Sequence, residues 1–264
     1  MLVTLKIIKN KISLNLLRIL IILFILIITL EIVDASNATV VYRSTSGSGV
    51  NNPKIRNWDN STSNFSIEVE LAASGNPASA LNHTIIKQSP KSSKKIIVTQ
   101  SGNGNITAYI SNNGTGGAGS WTQTFLGTVW ISAPATSSRR FDVAFETITG
   151  DALIVYAVQS TNGAQDLAYR QVRARDLDIS YTGEQYIDDT DQSTDVVYSW
   201  ANLARDPNAS SNDIILIALD STNSDTKVWA WNGTNWTAET EISAATTQTA
   251  GFEGQASEYA ENGG

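Results

Sequence analysis

Short runs of β-branched and aromatic residues recur along the chain from residue 39 onward and are separated by polar turn-forming residues. Four of these runs are almost wholly apolar, which is typical of buried strands. They are residues 39–44 (TVVYRS), 95–100 (KIIVTQ), 153–158 (LIVYAV) and 214–219 (IILIAL). Their centres, taken at Val40, Ile96, Ile154 and Ile215, lie 56, 58 and 61 residues apart. This spacing indicates an internal repeat.

A second feature keeps nearly the same period. A small polar residue, an aromatic residue and a hydroxyl residue follow one another at Asn64-Phe65-Ser66, Ser120-Trp121-Thr122, Ser180-Tyr181-Thr182 and Asn235-Trp236-Thr237. The aromatic residues are 56, 60 and 55 positions apart. Two separate features with one period are hard to attribute to chance, so each interval is interpreted as one structural unit.

Further strands are predicted inside each interval. One follows the apolar run, at residues 53–59, 105–111, 166–172 and 226–232. Another precedes it in the later repeats, at residues 83–89, 141–147 and 195–201. Links such as Ser101–Gly104 and Asn232-Gly233 are typical of tight turns. Together with the aromatic segment, each repeat therefore supplies four short antiparallel strands.

A single four-stranded unit cannot bury both of its faces, so neighbouring units must stack. Sheets of this size that stack around an axis form a β-propeller. We therefore predict an all-β fold over residues 36–264, a β-propeller with about four blades of four antiparallel strands. A string of small β-sandwiches is the alternative, but one sandwich needs about seven strands.

The two ends of the repeat region leave two arrangements open. The first repeat begins at its second strand, and residues 251–264 resemble the opening of a further repeat. Either this last segment closes a four-bladed ring by pairing beside residues 39–44, or the chain is a fragment of a larger ring.

The aromatic segments resemble the Asp-box hairpin of sialidase-type β-propellers, in which S-x-D-x-G-x-T-W forms the turn between the third and fourth strands of a blade. The resemblance covers one place in each of the four repeats, as in residues 111–122 and 232–237; the Asp of the box is absent, and two repeats replace its Trp by Phe or Tyr. It implies blade architecture and no activity. We expect four aromatic residues to fill the space between blades, with sugar stacking as the alternative role: Phe65, Trp121, Tyr181 and Trp236.

The N-terminal segment has the order of a secretory signal. Residues 1–18 carry four basic residues and no acid, Ile19–Leu30 is apolar except for one Thr, and the small residue Ala35 precedes Ser36. We expect residues 1–35 to be a signal peptide. The alternative is an uncleaved anchor, and in either case the membrane is met only through this segment. The rest of the chain is then secreted or displayed at the cell surface.

The composition narrows the function classes. The chain has 18 Lys and Arg against 25 Asp and Glu, a net charge of −7, one His and no Cys. The acidic balance argues against nucleic acid as a partner, and the missing Cys excludes disulfides, thiol catalysis and thiolate metal sites. Nine N-x-S/T sequons fit an exported chain. Glycosylation is predicted at Asn60, Asn64, Asn113, Asn232 and Asn235.

An acidic loop supplies the candidate cation site. Oxygen-bearing side chains alternate at Asp189, Asp191, Ser193 and Asp195, and Ca²⁺ prefers such ligands. A solvated acidic loop without a cation is the alternative. No other cofactor is predicted.

No catalytic constellation is predicted from the sequence. A sialidase-like enzyme needs arginines that converge on a carboxylate, whereas Arg43, Arg56 and Arg170 fall at different strand positions, and Arg139-Arg140 is interpreted as a loop or edge charge. The sequence favours a structural or recognition module for an extracellular glycan, a protein or another copy of itself. A sialidase-like or other glycoside hydrolase is the alternative, and it needs convergent carboxylates or arginines at the axis.

Overall fold

A computed structural model of the chain describes residues 38–43, 52–71, 81–111, 121–128, 138–158, 165–174, 183–187, 196–243 and 257–259. These residues form β-strands and contain no helix. The strands are β1 (Ala38–Arg43), β2 (Pro53–Asp59), β3 (Asn64–Phe65), β4 (Val69–Glu70), β5 (Leu81–Gln88), β6 (Lys95–Ser101), β7 (Asn105–Ser111), β8 (Trp121–Thr128), β9 (Phe141–Phe145), β10 (Ala152–Ala157), β11 (Leu167–Val172), β12 (Gln185–Ile187), β13 (Tyr198–Arg205), β14 (Ile214–Asp220), β15 (Asp225–Trp231) and β16 (Thr240–Ser243).

The strands form four four-stranded sheets, one for each predicted repeat. Three of them are meanders in the orders β5-β6-β7-β8, β9-β10-β11-β12 and β13-β14-β15-β16. In the first sheet, β1 pairs with β2, and β2 also pairs with the short strands β3 and β4. We call these sheets blades 1 to 4 in chain order. The predicted all-β fold with four-stranded antiparallel blades is confirmed.

Most predicted strands match the structure closely. β2 and β7 have the predicted bounds, and the turns before β7 and after β15 place Gly104 and Gly233 at positive φ, 82° and 92°. The strand predicted at residues 195–201 is wrong in its bounds, because β13 runs from Tyr198 to Arg205. It pairs with β14 over its whole length, with an irregularity between Tyr198 and Trp200.

Apolar clusters join consecutive blades. Ile55 and Leu71 of blade 1 pack with Ile97 and Tyr109 of blade 2. Two larger clusters join blade 2 to blade 3 and blade 3 to blade 4. No cluster among the described residues joins blade 1 to blade 4.

The apolar run of blade 3 is divided between the two larger clusters. Ile154 and Tyr156 belong to the cluster with blade 2, while Leu153 and Val155 belong to the cluster with blade 4. Successive residues of a strand point to opposite faces, so a strand that is covered on both faces must be apolar at every position.

The strand of blade 1 departs from this rule. Residues 39–44 were expected to form a buried strand, but β1 alternates between exposed and half-buried residues, and Val40 is 40% exposed. That expectation is wrong for β1. Within the described residues, blade 1 packs through an apolar cluster with blade 2 alone, so a single face of the strand is covered.

The chain divides into two compact units, one of Thr39–Trp58 with Phe65–Gly264 and one of Met1–Ala38 with Asp59–Asn64. In the second unit, Asp59 accepts hydrogen bonds from the backbone N–H and the hydroxyl of Ser61 and so closes a turn. Residues 1–35, the predicted signal peptide, lie outside the described residues. No helix in the described part of the chain is long and apolar enough to cross a bilayer.

Candidate functional site

The first strands of blades 2, 3 and 4 lie side by side, because β9 contacts both β5 and β13. A cavity of about 640 Å³ opens against these three strands. Its apolar lining includes Ile85, Val143 and Leu203, and the segment Ser257–Tyr259 contributes Ser257 and Glu258. We call it the axial cavity. Its other polar lining residues are Lys87, Gln88, Arg139, Asp142, Asn202 and Arg205.

The guanidinium of Arg139, at the wall of the axial cavity, has partners in two blades. Its Nη1 donates to the carbonyl oxygen of Phe141 at 3.0 Å and lies 3.6 Å from Oδ1 of Asp142. Its Nη2 donates to Oδ1 of Asn202, on β13. The guanidinium is therefore fixed by blades 3 and 4 together.

Asp142 is buried beside this guanidinium and links the same two blades. Its Oδ1 accepts the backbone N–H of Val143 and its Oδ2 accepts that of Leu203, both at 2.8 Å. Burial raises the pKa of Asp142, while Arg139 and the two N–H groups act in the opposite direction. Both carboxyl oxygens thus have backbone partners, which gives Asp142 a structural role at the cavity wall.

The segment before β9 is tied to blade 2. Nε2 of Gln100 donates to the carbonyl oxygen of Ser138 at 3.2 Å, and Oε1 of Gln100 accepts the backbone N–H of Arg140 at 3.1 Å. Arg140 is 2% exposed, and burial lowers its pKa. Arg139 and Arg140 lie in the loop before β9, as predicted, but they are not charges at an exposed edge, since Arg140 is buried and Arg139 lines the axial cavity.

The lining charges are unlike those of the whole chain. Lys87, Arg139 and Arg205 face two acids, Asp142 and Glu258, in a chain whose net charge is −7. Guanidinium and ammonium groups only donate hydrogen bonds, whereas the amides of Gln88 and Asn202 both donate and accept. The axial cavity therefore suits a small ligand rich in oxygen atoms.

An Arg, Tyr and Glu do meet, but between blades 2 and 3. The hydroxyl of Tyr156 donates to Oε2 of Glu184 at 2.6 Å, and Nε of Arg170 donates to the Tyr156 oxygen at 3.3 Å. Arg170 also donates to the carbonyl oxygen of Leu126 at 3.2 Å. Tyr156 is fully buried, and burial is the main reason that its pKa is raised. This cluster does not line the axial cavity and joins two blades.

The repeat aromatics occupy different environments. Trp121 packs against the cluster between blades 1 and 2, and Trp236 against the cluster between blades 3 and 4. Phe65 is 48% exposed and meets Trp58 edge-on, with ring centroids 5.1 Å apart. Tyr181 lies outside the described residues.

The other predicted sites are only partly described. Four of the five predicted glycosylation sites are exposed: Asn60, Asn64, Asn232 and Asn235. The remaining candidates lie outside the described residues: Asn113, Asp189, Asp191, Ser193 and Asp195. Within the described ranges, no group of three His, Asp or Glu residues has a metal-binding arrangement.

No protein-family model and no curated protein matches this sequence. Among solved structures, the chain is similar to an exo-β-1,3-galactanase from Phanerochaete chrysosporium, with 13% identity, a TM-score of 0.42, and coverage of 78% of this chain and 48% of that chain. It is also similar to an intramolecular trans-sialidase from Ruminococcus gnavus (15% identity, TM-score 0.42, 70% of this chain and 36% of that chain).

A third similar structure is the Aleuria aurantia lectin, a six-bladed β-propeller (15% identity, TM-score 0.41, 81% of this chain and 58% of that chain). The chain spans about half the length of the galactanase. The four blades of this protein are defined by its own strand pairing and by the clusters between its sheets.

Proposed function

We propose that this chain is an exported recognition module, secreted or displayed at the cell surface, that binds a glycan in the axial cavity without chemical conversion. The observation that carries the proposal is the fixed guanidinium of Arg139 at the cavity wall. A donor that is already held in place loses little conformational entropy when a ligand binds.

The size and lining of the cavity support a small polar ligand. A volume of about 640 Å³ lies within the range of small-molecule sites, roughly 300–1,000 Å³. Sugar hydroxyls both donate and accept, so they can pair with the amides of Gln88 and Asn202 and with the cationic donors. The apolar lining residues Ile85 and Leu203 suit contact with the C–H face of a sugar ring.

Binding can be tested at the rim of the cavity, where a substitution disturbs the fold least. Arg205 is exposed and lines the cavity, so Arg205→Ala should weaken binding of a glycan roughly tenfold or more, the effect expected for a lost charged hydrogen bond. Glycan arrays would identify the ligand, and calorimetry would measure the affinity. Arg56→Ala, at an exposed arginine of blade 1, is the matched control and should leave binding unchanged. An array without hits, or equal affinities for both variants, would contradict the proposal.

A glycoside hydrolase is the second candidate, and one observation favours it. Asp142 lines the cavity and burial raises its pKa, as a general acid of this enzyme class needs; in that role one of its oxygens would have to exchange its backbone N–H partner for the substrate. Glu258 is the other lining acid. Release of sugar from a bound glycan, abolished in Asp142→Asn with an unchanged circular dichroism spectrum, would replace the binding proposal by the enzyme.

A further inference from the structure

The axial cavity lies at one end of blades 2, 3 and 4. Gln88, Phe145 and Arg205 line it, and they are the last residues of β5, β9 and β13, the first strands of these blades. Strands alternate in direction within an antiparallel blade, so the turns after the first and third strands lie at one end and the turn after the second strand lies at the other. We call the end where the first strands finish the mouth end.

The sequons of blades 2 and 4 differ between the two ends. Asn208 follows β13 and Asn232 follows β15, so both lie in turns at the mouth end of blade 4, and both are exposed. Asn82 and Asn105 lie at the starts of β5 and β7, at the opposite end of blade 2, and both are half-buried. A folded chain has room for a bulky glycan only on an exposed Asn. In these two blades, the described sequons that can carry one are therefore those at the mouth end.

Asn208 has both the sequence and the local geometry of an acceptor. It begins the sequon Asn208-Ala209-Ser210, and its Oδ1 accepts the backbone N–H of Ser210 at 3.0 Å and the Ser210 hydroxyl at 2.8 Å. Its Nδ2, the atom that a glycan joins, has no hydrogen bond within the described part of the chain. By contrast, Nδ2 of Asn64 donates to the carbonyl oxygen of Thr62 at 2.9 Å. A glycan on Asn208 therefore displaces no contact of the folded chain.

The turn that carries Asn208 is fixed beside the cavity. The preceding residue, Pro207, lines the cavity. The N–H of Asp206 donates to the carbonyl oxygen of Asp213 at 2.8 Å, and the Thr147 hydroxyl of blade 3 donates to the carbonyl oxygen of Asp206 at 2.7 Å. The N–H of Asn208 itself donates to Oδ1 of Asp206 at 2.8 Å. A glycan on Asn208 would thus leave the protein from a fixed point at the mouth end.

We propose that Asn208 carries an N-linked glycan and that this glycan restricts which molecules reach the axial cavity. The glycan is bulky and is attached next to the cavity wall at Pro207, so it admits small molecules and excludes large ones. The proposal rests on one part of the proposed function, the export of the chain, because only an exported chain meets a glycosyltransferase. It does not require that the cavity itself binds a glycan.

The first test is the occupancy of the sequons. The full chain is produced through the secretory pathway of an N-glycosylating host and treated with a peptide N-glycosidase in water enriched in heavy oxygen, which labels each position that carried a glycan. Peptide mass spectrometry should find the label at Asn208 and none at Asn82 or Asn105. A secreted chain without label at Asn208 would overturn the proposal.

The second test measures access to the cavity without any ligand. The chain has no Cys, so Gln88→Cys places a single thiol in the cavity lining. A maleimide joined to a polyethylene glycol chain should label this thiol roughly threefold or more slowly than in the same variant with Asn208→Gln, because thiol reactions depend on access. The small reagent N-ethylmaleimide should label both at the same rate.

Asn232→Gln is the matched control for the labelling experiment. It removes a sequon from the same blade, but from the turn after its third strand, so it should change the rate of the polymer reagent less than Asn208→Gln does. Equal rates with and without Asn208→Gln, in a chain whose Asn208 is occupied, would overturn the proposal. Binding that depends on Arg205 would still stand in that case, whereas a glycan array without hits would leave the labelling result unchanged.

Discussion

Blades 1 and 3 carry similar apolar runs and yet are buried to very different degrees. Every residue of β10 in blade 3 is buried, whereas β1 in blade 1 alternates between exposed and half-buried residues. Blade 3 packs against a cluster on each face, and blade 1 packs against one cluster only. The comparison teaches that a strand of this repeat is buried by its neighbouring blades, so the same kind of sequence gives core in one blade and surface in another.

Ion pairs show the same contrast. In blade 4, Lys227 lies 3.3 Å from Glu239, and both side chains are almost fully buried, with 3% and 4% exposure. In blade 1, Lys54 lies 2.8 Å from Glu68, whose side chain is 35% exposed. The shorter pair is the more solvated one, so distance alone does not indicate which pair matters for stability.

Truncating one aromatic residue in blade 4 and one in blade 1 should give the largest difference in stability between the two regions. Trp229→Ala removes a fully buried ring from the cluster between blades 3 and 4 and should lower the free energy of unfolding by about 3–5 kcal/mol. Phe65→Ala removes a half-exposed ring and should cost less than about 1 kcal/mol. Urea unfolding measures both. Equal losses would mean that blade 1 is as tightly packed as blade 4.

Removing one charge from each ion pair should have the next largest effect. Glu239→Gln removes one of two carboxylates beside the buried ammonium group of Lys227, while Asp220 stays 3.8 Å away, and it should lower the free energy of unfolding by about 1–3 kcal/mol. Glu68→Gln should change the melting temperature little, because water can replace the lost carboxylate charge at this exposed site. Thermal unfolding at low and high salt compares them. A large, salt-sensitive loss in Glu68→Gln would contradict this expectation.

The free energy of unfolding should depend on pH with opposite signs in Glu146 and Glu68. This effect should be the smallest of the three. Burial raises the pKa of Glu146, whose Oε1 accepts the indole N–H of Trp231 at 2.7 Å. The folded state then keeps this proton to a higher pH than the unfolded chain does. The free energy of unfolding should therefore fall as pH rises from about 4.3 through the folded pKa, and Glu146→Gln should remove this slope.

Glu68 should behave in the opposite way. Its hydrogen bonds, first from Lys54 and then from Tyr42, lower its pKa. The stability that it adds is present above its unfolded pKa and is lost as pH falls through the lower folded pKa. Equilibrium unfolding of Glu146→Gln and Glu68→Gln across acidic to neutral pH would show both slopes. Curves parallel to the wild type in both variants would contradict the assignment.

The repeat made most of the fold predictable from the sequence. The apolar runs and the turns fixed the bounds of β2 and β7 and the grouping of strands into four blades. The shift of β13 was not predictable, because Val196 and Val197 look like strand residues while Asn202 and Ala204 do not. Pairing with β14 decides those bounds. The exposure of β1 depends on which blades pack beside it, which no local pattern records.

The axial cavity was not predicted, although a signal for it exists. Asp142 is the one polar residue of β9, and Asn202 lies between Ala201 and Leu203 in β13. A polar residue at such a position needs a partner across the axis, and the structure supplies it through Arg139 and the N–H of Leu203. The sequence separates Arg139 from Asn202 by 63 positions, so their contact becomes visible only when β9 and β13 lie side by side.

The hydrogen bond from the Leu203 N–H to the Asp142 carboxylate has a consequence for how the molecule opens. The acceptor belongs to a neighbouring sheet, so this amide can exchange with deuterium only when the two sheets separate or one of them melts. The exchange rate of the Leu203 N–H would therefore show how often blades 3 and 4 separate or melt.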